Sequence, residues 1–362
     1  MLITNLNLTN YRSYTNLELN LYPGINIFVG KNGEGKTNIA ESILYLTFLN
    51  SHRASGNTPL VKLGQASAYI RAKVKYPERE ILVELEINID KANRAKINQN
   101  PARSQKEIFG IVQTIYFSPE DLDIVRGDPT ERRRFIDQLL TLRSPRVAAV
   151  VSDYERAVKQ RNSLLKTRAS KEALAPWDKQ VADFGGQLIA LRLTGLTQLT
   201  PLFNSIYSEI SNIKPAEIIY KSSLEGISEN AAENSEKIME KLISTRGAEL
   251  ERGLTLTGPH RDDLLLMLGE LQVKGYASHG ESWSIALALK LATYNLLKSD
   301  GLSPILILDD VFSELDEDRR EKLAAIAKSA EQTIITVAVE ADLPKSLTGQ
   351  RYLVKSGSVS QL

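Results

Sequence analysis

The chain has 362 residues, of which 42% are hydrophobic and 25% charged, and its formal net charge is +1. Such a length predicts one large domain with an insertion, and such a composition is typical of a soluble globular protein. There is no cysteine, which excludes disulfides, thiol catalysis and cysteine zinc sites. Without a long apolar run or a signal-peptide pattern, we expect a cytoplasmic protein with no membrane segment. Because the net charge is close to zero, binding to nucleic acid would depend on local basic patches.

The first elements in chain order are strands that lead into a glycine-rich loop. Residues 1–30 predict strands, the last of which is "GINIF", and a helix is expected over 38–49. Between them lies the G-x-x-x-x-G-K-T spacing of a phosphate-binding P-loop. Glycine permits positive φ there, so that backbone N–H groups can surround a phosphate at the helix N-terminus. A glycine-rich turn without a ligand is the alternative, but it does not account for the strand–loop–helix context.

The P-loop predicts a site for a nucleoside triphosphate and Mg²⁺. Lys36 would reach the β- and γ-phosphate oxygens, which also makes it a candidate catalytic residue, and Thr37 would offer its hydroxyl to the metal. The candidate nucleotide-binding residues of this segment are Gly30, Lys31, Asn32, Gly33, Glu34, Gly35, Lys36 and Thr37.

The middle of the chain changes character. Alternating segments such as "AYIRAKVKY" and "ILVELEIN" predict an antiparallel meander. The pattern over 129–252 is mainly helical, with turn signals at Pro145, Pro176 and Pro215. Two helices of about 20–25 residues would form a short arm of about 30–38 Å. This is too short for the long coiled coil of a purely structural protein.

Strands return after this helical segment. A helix is expected at about 281–298, followed by the buried strand "PILILDDVF", a helix over 317–330 and further strands. The predicted fold class is therefore α/β. Two halves of one ATPase domain, 1–128 and 253–362, flank a mainly helical inserted domain at 129–252.

Two aspartates end the apolar strand "ILILDD". Asp309 is placed to hold the Mg²⁺ of a P-loop site, and Asp310 lies where a general base for hydrolysis is needed. A strand that merely ends in two acids is the alternative. We disfavour it because paired buried carboxylates are costly unless a metal or another cation compensates them.

The segment "SHGES" precedes the long helix about 30 residues before the two aspartates. A serine and a glycine at a helix N-terminus are compatible with a simple cap. ABC-type ATPases, however, space their signature and Walker B motifs in this way, and "SELD" at 313–316 resembles their D-loop. We therefore predict that Ser278 and Gly280 present a hydroxyl, a backbone amide and the helix dipole to the γ-phosphate of a nucleotide on a second subunit. The N-K-x-D motif of GTPases is absent, which disfavours a GTP switch.

An arginine-rich segment, "RGDPTERRRFID", supplies candidate DNA-binding residues, namely Arg132, Arg133 and Arg134. The alternative is a solvated helix face. On a helix the triplet spreads over roughly 200°, so the three side chains cannot serve one flat surface. We therefore expect at least one of them to pack into the protein.

Together these motifs resemble the RecF family of bacterial recombination-repair ATPases over essentially the whole chain. The matching segments are "NYRSY", "GKNGEGKTNIAESI", "SPEDLDIVRGDPTERRRFIDQ", "TGPHRDDL", "ASHGESWSIALALKLA" and "LILDDVFSELDEDRR". The resemblance implies an ABC-type P-loop ATPase head like those of SMC proteins, with a helical lobe in place of a long coiled coil. It also implies a cytoplasmic protein of DNA replication, DNA repair and the SOS response to DNA damage.

The resemblance further implies cofactors, partners and residue roles. The cofactors are ATP and Mg²⁺, and the partners are gapped DNA, a second copy of the chain in an ATP-dependent dimer, and RecR, with RecO and RecA downstream. The P-loop, Asp309 as metal ligand and Asp310 as catalytic carboxylate carry over. So do the signature residues Ser278, Gly280 and Glu281, as part of the nucleotide-binding site.

Several departures from the ABC pattern predict slow hydrolysis. The catalytic acid is aspartate instead of glutamate, and "TVAVEADL" lacks a switch histidine. No Q-loop glutamine is evident, and Glu120 is a candidate replacement.

Two rival interpretations remain. One is an ATPase subunit of a transporter, which gives no account of the arginine segment. The other is a small-molecule kinase, which does not need "SHGE" or "SELD".

Overall fold

The computed structural model describes residues 1–211 and 214–362, and the chain forms two compact units. The first unit comprises Met1–Asp121 with Leu297–Leu362, and the second comprises Leu122–Leu296. The strands are β1 (Leu2–Tyr11), β2 (Tyr14–Asn20), β3 (Gly24–Val29), β4 (Ser67–Lys75), β5 (Glu80–Asn88), β6 (Arg94–Ile97), β7 (Asn100–Pro101), β8 (Thr114–Phe117), β9 (Ala216–Lys221), β10 (Asp263–Leu268), β11 (Leu271–Gln272), β12 (Ile305–Asp309), β13 (Gln332–Val337), β14 (Gln350–Lys355) and β15 (Ser358–Gln361). The helices are α1 (Lys36–Phe48), α2 (Leu122–Arg126), α3 (Pro129–Arg143), α4 (Arg146–Lys166), α5 (Lys171–Ile210), α6 (Ala231–Ser244), α7 (Arg246–Arg252), α8 (Val273–Tyr276), α9 (His279–Ser299) and α10 (Glu317–Ser329).

The first unit contains two sheets. One is antiparallel in the order β2-β1-β4-β5-β6-β7, and the other has the order β15-β14-β3-β13-β12-β8 with parallel pairing from β14 to β8. All residues of β12 and β13 are buried, as expected for parallel strands covered on both faces. Helix α1 packs against β8, β12 and β13. The α/β prediction is therefore confirmed, and α1 lies directly over the strand that carries the two aspartates.

The second unit is mainly helical. Helix α5 packs against α4 and α6, and their core includes Tyr154, Val181, Leu188 and Ile238. A small antiparallel sheet, β11-β10-β9, completes the unit. Strand β9 lies within the segment that the sequence predicts as mainly helical, because its six residues give too short a pattern to separate a strand from a helix.

Helix α5 corrects one expectation about the helical arm. It runs for 40 residues and contains Pro176, so the predicted turn there and the length of about 20–25 residues are wrong for this helix. A proline inside a helix loses one backbone hydrogen bond and costs about 3 kcal/mol. Here Ser170 caps the helix and accepts a hydrogen bond from Ala173 N at 3.4 Å. The helix also contains Pro201, and its long contacts with α4 and α6 add the packing that outweighs both prolines.

The two units divide the chain at 121/122 and 296/297, whereas the sequence predicts domain boundaries at 128/129 and 252/253. The start of α9 is tied to α2 within the second unit, since Arg126 Nε donates to Ser282 Oγ at 3.1 Å. The predicted domain boundaries remain a prediction.

Among residues 1–211 and 214–362, no helix has the length and apolar character that crossing a membrane requires.

Candidate nucleotide-binding site

The P-loop connects β3 to α1 in the first unit. Two of its glycines have positive φ, 86° at Gly33 and 112° at Gly35. A Cβ atom at Gly35 would lie 2.8 Å from Tyr14 Oη and 3.0 Å from Ser13 Oγ. Tyr14 Oη also donates a hydrogen bond to Gly35 O at 3.1 Å. Both the backbone conformation and the close approach of β2 therefore require glycine at position 35.

Lys36 is held inside the loop. Its side chain is 3% exposed, and its Nζ donates to Lys31 O at 3.3 Å and to Asn32 Oδ1 at 3.4 Å. These oxygens keep a buried ammonium partnered. The ammonium group therefore lies at the helix N-terminus, where an anionic ligand is favoured.

Asp309 joins the P-loop to the end of β12. Thr37 Oγ1 donates to Asp309 Oδ1 at 3.1 Å, Tyr116 Oη donates to Oδ2 at 2.7 Å, and Thr336 Oγ1 also donates to Oδ1. Burial raises the pKa of Asp309, and these hydrogen bonds oppose the increase. Sequence reasoning missed Thr336 and Tyr116, although both lie on strands that neighbour β12.

Asp310 follows in the left-handed conformation, with φ 52°. Its Oδ2 lies 3.9 Å from Lys36 Nζ. Burial raises the pKa of Asp310, Lys36 lowers it, and the carboxylates of Asp342 and Glu120 raise it further. Asp310 is therefore a carboxylate with increased basicity next to the lysine of the P-loop.

A cavity of about 720 Å³ opens over these groups within the first unit. Of the predicted residues, its lining includes Asn32, Gly33, Gly35, Lys36, Thr37 and Asp310. Gly30, Lys31, Glu34 and the buried Asp309 are not among the lining residues, and the Glu34 carboxylate instead accepts a hydrogen bond from Ser356 N.

One part of the cavity wall was not anticipated from the sequence. Arg12 lines it in the left-handed conformation, with φ 51°, and donates to both oxygens of Glu41 at 2.8 and 2.6 Å. Arg53, Lys62 and Leu63 also line the cavity, and Leu63 is 98% exposed. This wall adds positive charge and an apolar surface to the phosphate cradle.

The signature segment lies in the second unit. Ser278 N donates to Glu281 Oε2 at 2.8 Å, and Glu281 N donates to Ser278 Oγ at 3.2 Å. This reciprocal pair is a capping box, and the hydrogen bonds from Ser278 lower the pKa of Glu281. The segment therefore caps α9, while Ser278 itself remains exposed and Gly280 is half-buried.

The three candidate DNA-binding arginines differ in environment, all within the second unit. Arg132 is 5% exposed and donates to both oxygens of Asp263 at 2.7 and 3.0 Å. Arg133 is half-buried and donates to Asp262 O at 2.8 Å. Arg134 is exposed and pairs with Glu131 at 2.8 Å. As the helical spacing predicts, one member of the triplet packs into the protein.

The fold and the site define a class of protein. A P-loop followed by a helix, a buried strand that ends in two aspartates beside the P-loop threonine, and a serine–glycine segment that caps a long helix are the features of an ABC-type ATPase head. The head of an SMC protein bound to the C-terminal winged-helix domain of ScpA has this fold, with a TM-score of 0.59 at 16% identity and coverage of 100% of this chain and 97% of that one.

The family model described as the RecF/RecN/SMC N-terminal domain matches residues 2–352. A DNA replication and repair protein RecF from Streptomyces avermitilis is 48% identical over 373 residues, with 100% of both chains covered. The corresponding RecF from Frankia alni is 44% identical over 374 residues, with 99% of both covered. The chain belongs to the RecF family of DNA replication and repair proteins.

A solved structure agrees with this assignment. The recombination mediator protein RecF bound to ATPrS, of the RecFOR pathway, has a TM-score of 0.92 at 28% identity, with 100% of this chain and 98% of that chain covered. The RecF–ATP structure has a TM-score of 0.91 at 29% identity, with 99% and 97% covered. The prediction of an ABC-type head without a long coiled coil is confirmed.

Proposed function

We propose that this chain binds ATP with Mg²⁺ at the P-loop of the first unit. The observation that carries the proposal is the hydrogen bond of 3.1 Å between Thr37 and Asp309. It joins the nucleotide-binding loop to the acidic end of β12, next to a cavity that Thr37, Lys36 and Asp310 line. The RecF structures that contain ATP or its analogue support the same ligand here.

The oxygen ligands available at this point fit Mg²⁺. Within the described residues, no group of three or more His, Asp or Glu side chains could hold a metal by itself. A hydroxyl and a carboxylate supplemented by phosphate and water oxygens is the usual arrangement for this ion. Thr37 and Asp309 would hold it, and the bound ion would neutralise charge on the phosphates.

Slow hydrolysis is the second part of the proposal. Asp310 would accept a proton from the attacking water, and burial raises the pKa of this carboxyl group, which makes it a stronger base. In the structure its Oδ2 faces Lys36 Nζ at 3.9 Å. Because this base is an aspartate, one methylene shorter than the usual glutamate, and "TVAVEADL" lacks a switch histidine, we expect slow turnover that suits a clamp or timer better than a motor.

We further propose a head-to-tail dimer that forms around ATP. Ser278 is exposed at the N-terminus of α9, a helix of 21 residues whose end favours an anion. Ser278, Gly280 and Glu281 of one chain would meet the nucleotide held by Lys36 of a second chain. The capping box fixes the geometry of this contact in advance, because it orders the first turn of the helix.

The dimer would bind gapped DNA and, with RecR and RecO, direct RecA to it. Family membership and the RecFOR pathway of the solved relative support this role. Of the arginine triplet, Arg134 has the exposed side chain that a phosphate contact requires, and Arg133 is partly accessible. A dimer would double these phosphate contacts. The chain needs such local contacts, because a net charge of +1 gives it little overall attraction to DNA.

The test is nucleotide-dependent dimerisation, measured by light scattering with and without gapped DNA in the presence of a non-hydrolysable ATP analogue. The wild type should dimerise only with nucleotide, and DNA should lower the protein concentration that is required. Lys36→Ala should lose nucleotide binding and the dimer together. Equal dimerisation with and without nucleotide would contradict the proposal.

A further inference from the structure

A tyrosine lies against the proposed metal ligand. Tyr116 Oη donates a hydrogen bond of 2.7 Å to Asp309 Oδ2, and the two residues are 7% and 3% exposed. The other carboxylate oxygen, Oδ1, accepts from Thr37 and Thr336. The contact of Thr37 at Oδ1 belongs to the proposed nucleotide site, because Thr37 is a residue of the P-loop. The proposed site gives no role to the phenol at Oδ2.

The strand register explains why a tyrosine reaches this carboxylate. Tyr116 on β8 is paired with Ile307 on the parallel strand β12, and Asp309 lies two residues further along the same face. Two strand residues span about 6.6 Å. A tyrosine extends its hydroxyl this far, whereas phenylalanine lacks the donor and serine or threonine is too short.

A second ring restricts the position of this tyrosine. The rings of His52 and Tyr116 have centroids 4.7 Å apart and an interplanar angle of 50°. In the part of the chain that the structure describes, neither ring nitrogen of His52 makes a hydrogen bond. His52 therefore contributes to this contact by packing its ring, as aromatic pairs in tilted geometry do.

We propose that Tyr116 is a positioning residue that fixes the carboxylate of Asp309 for Mg²⁺, and that His52 holds the tyrosine ring in place. The inference rests on the proposed function, since it assumes that Asp309 is a ligand of the ion. Hydrogen bonds to ligating carboxylates orient them, and loss of such a partner typically lowers metal affinity about 10–100-fold. The phenol thereby raises the affinity of the site for Mg²⁺, and less Mg²⁺ is needed to promote nucleotide binding.

The test compares Tyr116→Phe with a matched control, Tyr352→Phe. Tyr352 is a 3% exposed tyrosine of the same unit whose Oη donates to Asn20 O at 2.7 Å, in a hydrogen bond that does not involve Asp309. Binding of a fluorescent ATP analogue is measured in EDTA and then during titration with Mg²⁺. Tyr116→Phe should match the wild type in EDTA and need about 10–100-fold more Mg²⁺ at the titration midpoint. The control should keep the wild-type midpoint.

Asp309→Asn separates this inference from the proposed function. If Asp309→Asn abolishes the Mg²⁺ effect and Tyr116→Phe leaves the midpoint unchanged, only the role of the tyrosine is overturned. If Asp309→Asn also leaves the Mg²⁺ effect intact, Asp309 is not a ligand and both proposals fail.

A thermal melt of each variant checks that it folds. If Tyr116→Phe does not fold, His52→Ala replaces it, since it keeps the phenol but removes the adjacent ring, and an unchanged midpoint in this variant overturns the inference.

Discussion

Arg132 and Asp263 form a two-point ion pair, in which Nε and Nη2 of the arginine lie 2.7 and 3.0 Å from the two carboxylate oxygens. The pair connects α3 to the first residue of β10 within the second unit. The side chains of Arg132 and Asp263 are only 6% and 16% exposed. An arginine in a segment that resembles a DNA-binding sequence therefore has a structural role.

We predict that Arg132→Ala mainly lowers the stability of the protein, whereas Arg134→Ala mainly weakens its binding to DNA. Arg132→Ala leaves the Asp263 carboxylate unpaired and should cost about 3 kcal/mol of unfolding free energy. Arg134→Ala removes an exposed pair and should change stability by less than about 0.5 kcal/mol. Its log–log salt slope for gapped duplex should fall by roughly two units in a dimer, because each phosphate contact contributes about 0.9.

Thermal melts and salt-dependent DNA binding with a non-hydrolysable ATP analogue measure both effects. Arg156, an exposed arginine paired with Asp153 on α4, supplies the control Arg156→Ala. If all three members of the triplet keep the wild-type slope and affinity after substitution by alanine, DNA binds elsewhere.

Ser278→Arg should preserve nucleotide binding but abolish the ATP-dependent dimer, because the long cation would occupy the space of the opposing phosphate. Loss of the capping box costs about 1 kcal/mol by itself. Ser278→Ala removes both the cap and the hydroxyl without adding a cation, and should weaken the dimer less than Ser278→Arg. Ser244→Arg on the exposed end of α6 controls for the added charge. Light scattering is the measurement, and an unchanged dimer in Ser278→Arg would rule out the head-to-tail arrangement.

Asp310→Asn should retain ATP and stabilise the dimer while hydrolysis slows by about 10²–10⁴-fold. The substitution removes the base but leaves Lys36, Thr37 and Asp309 in place. Phosphate release and nucleotide affinity are measured side by side. Wild-type turnover in this variant would mean that another group activates the water.

His260 should make the stability of the second unit depend on pH. Burial lowers the pKa of His260 from 6.5 to about 4. In the unfolded chain the group titrates near 6.5, so between pH 6.5 and 4 the unfolded state binds more protons. The stabilisation is complete above pH 6.5 and is lost as the pH falls toward 4, by up to roughly 3 kcal/mol.

Urea unfolding followed by tryptophan fluorescence measures this effect, because both tryptophans, Trp177 and Trp283, lie in the second unit. The His260 ring lies between Tyr154 Oη at 2.6 Å and Thr255 O at 3.1 Å. His260→Gln can keep an acceptor and a donor there but cannot titrate. The variant should show a smaller loss of stability between pH 6.5 and 4 than the wild type, and an equal loss would refute the prediction.

The class of protein and the centre of its site follow from local patterns in the amino-acid sequence. A P-loop is a local motif, because its glycines, Lys36 and the start of α1 are neighbours in the sequence. The close approach of Tyr14 adds a second reason for glycine at position 35. The apolar strand that ends at Asp309 is likewise a local pattern. Both could therefore be predicted before any tertiary contact was known.

The side chains that surround these groups depend on contacts that form when the chain folds. Tyr116 meets Asp309 from 193 positions away because β8 pairs with β12. Arg132 is buried because β10 presents Asp263 to α3, 131 positions further along the chain. Pairings at such separations follow from the order of strands and helices in the folded units, and no local periodicity encodes them. The partners of a predicted residue, and thus its role, emerge only when the chain has folded.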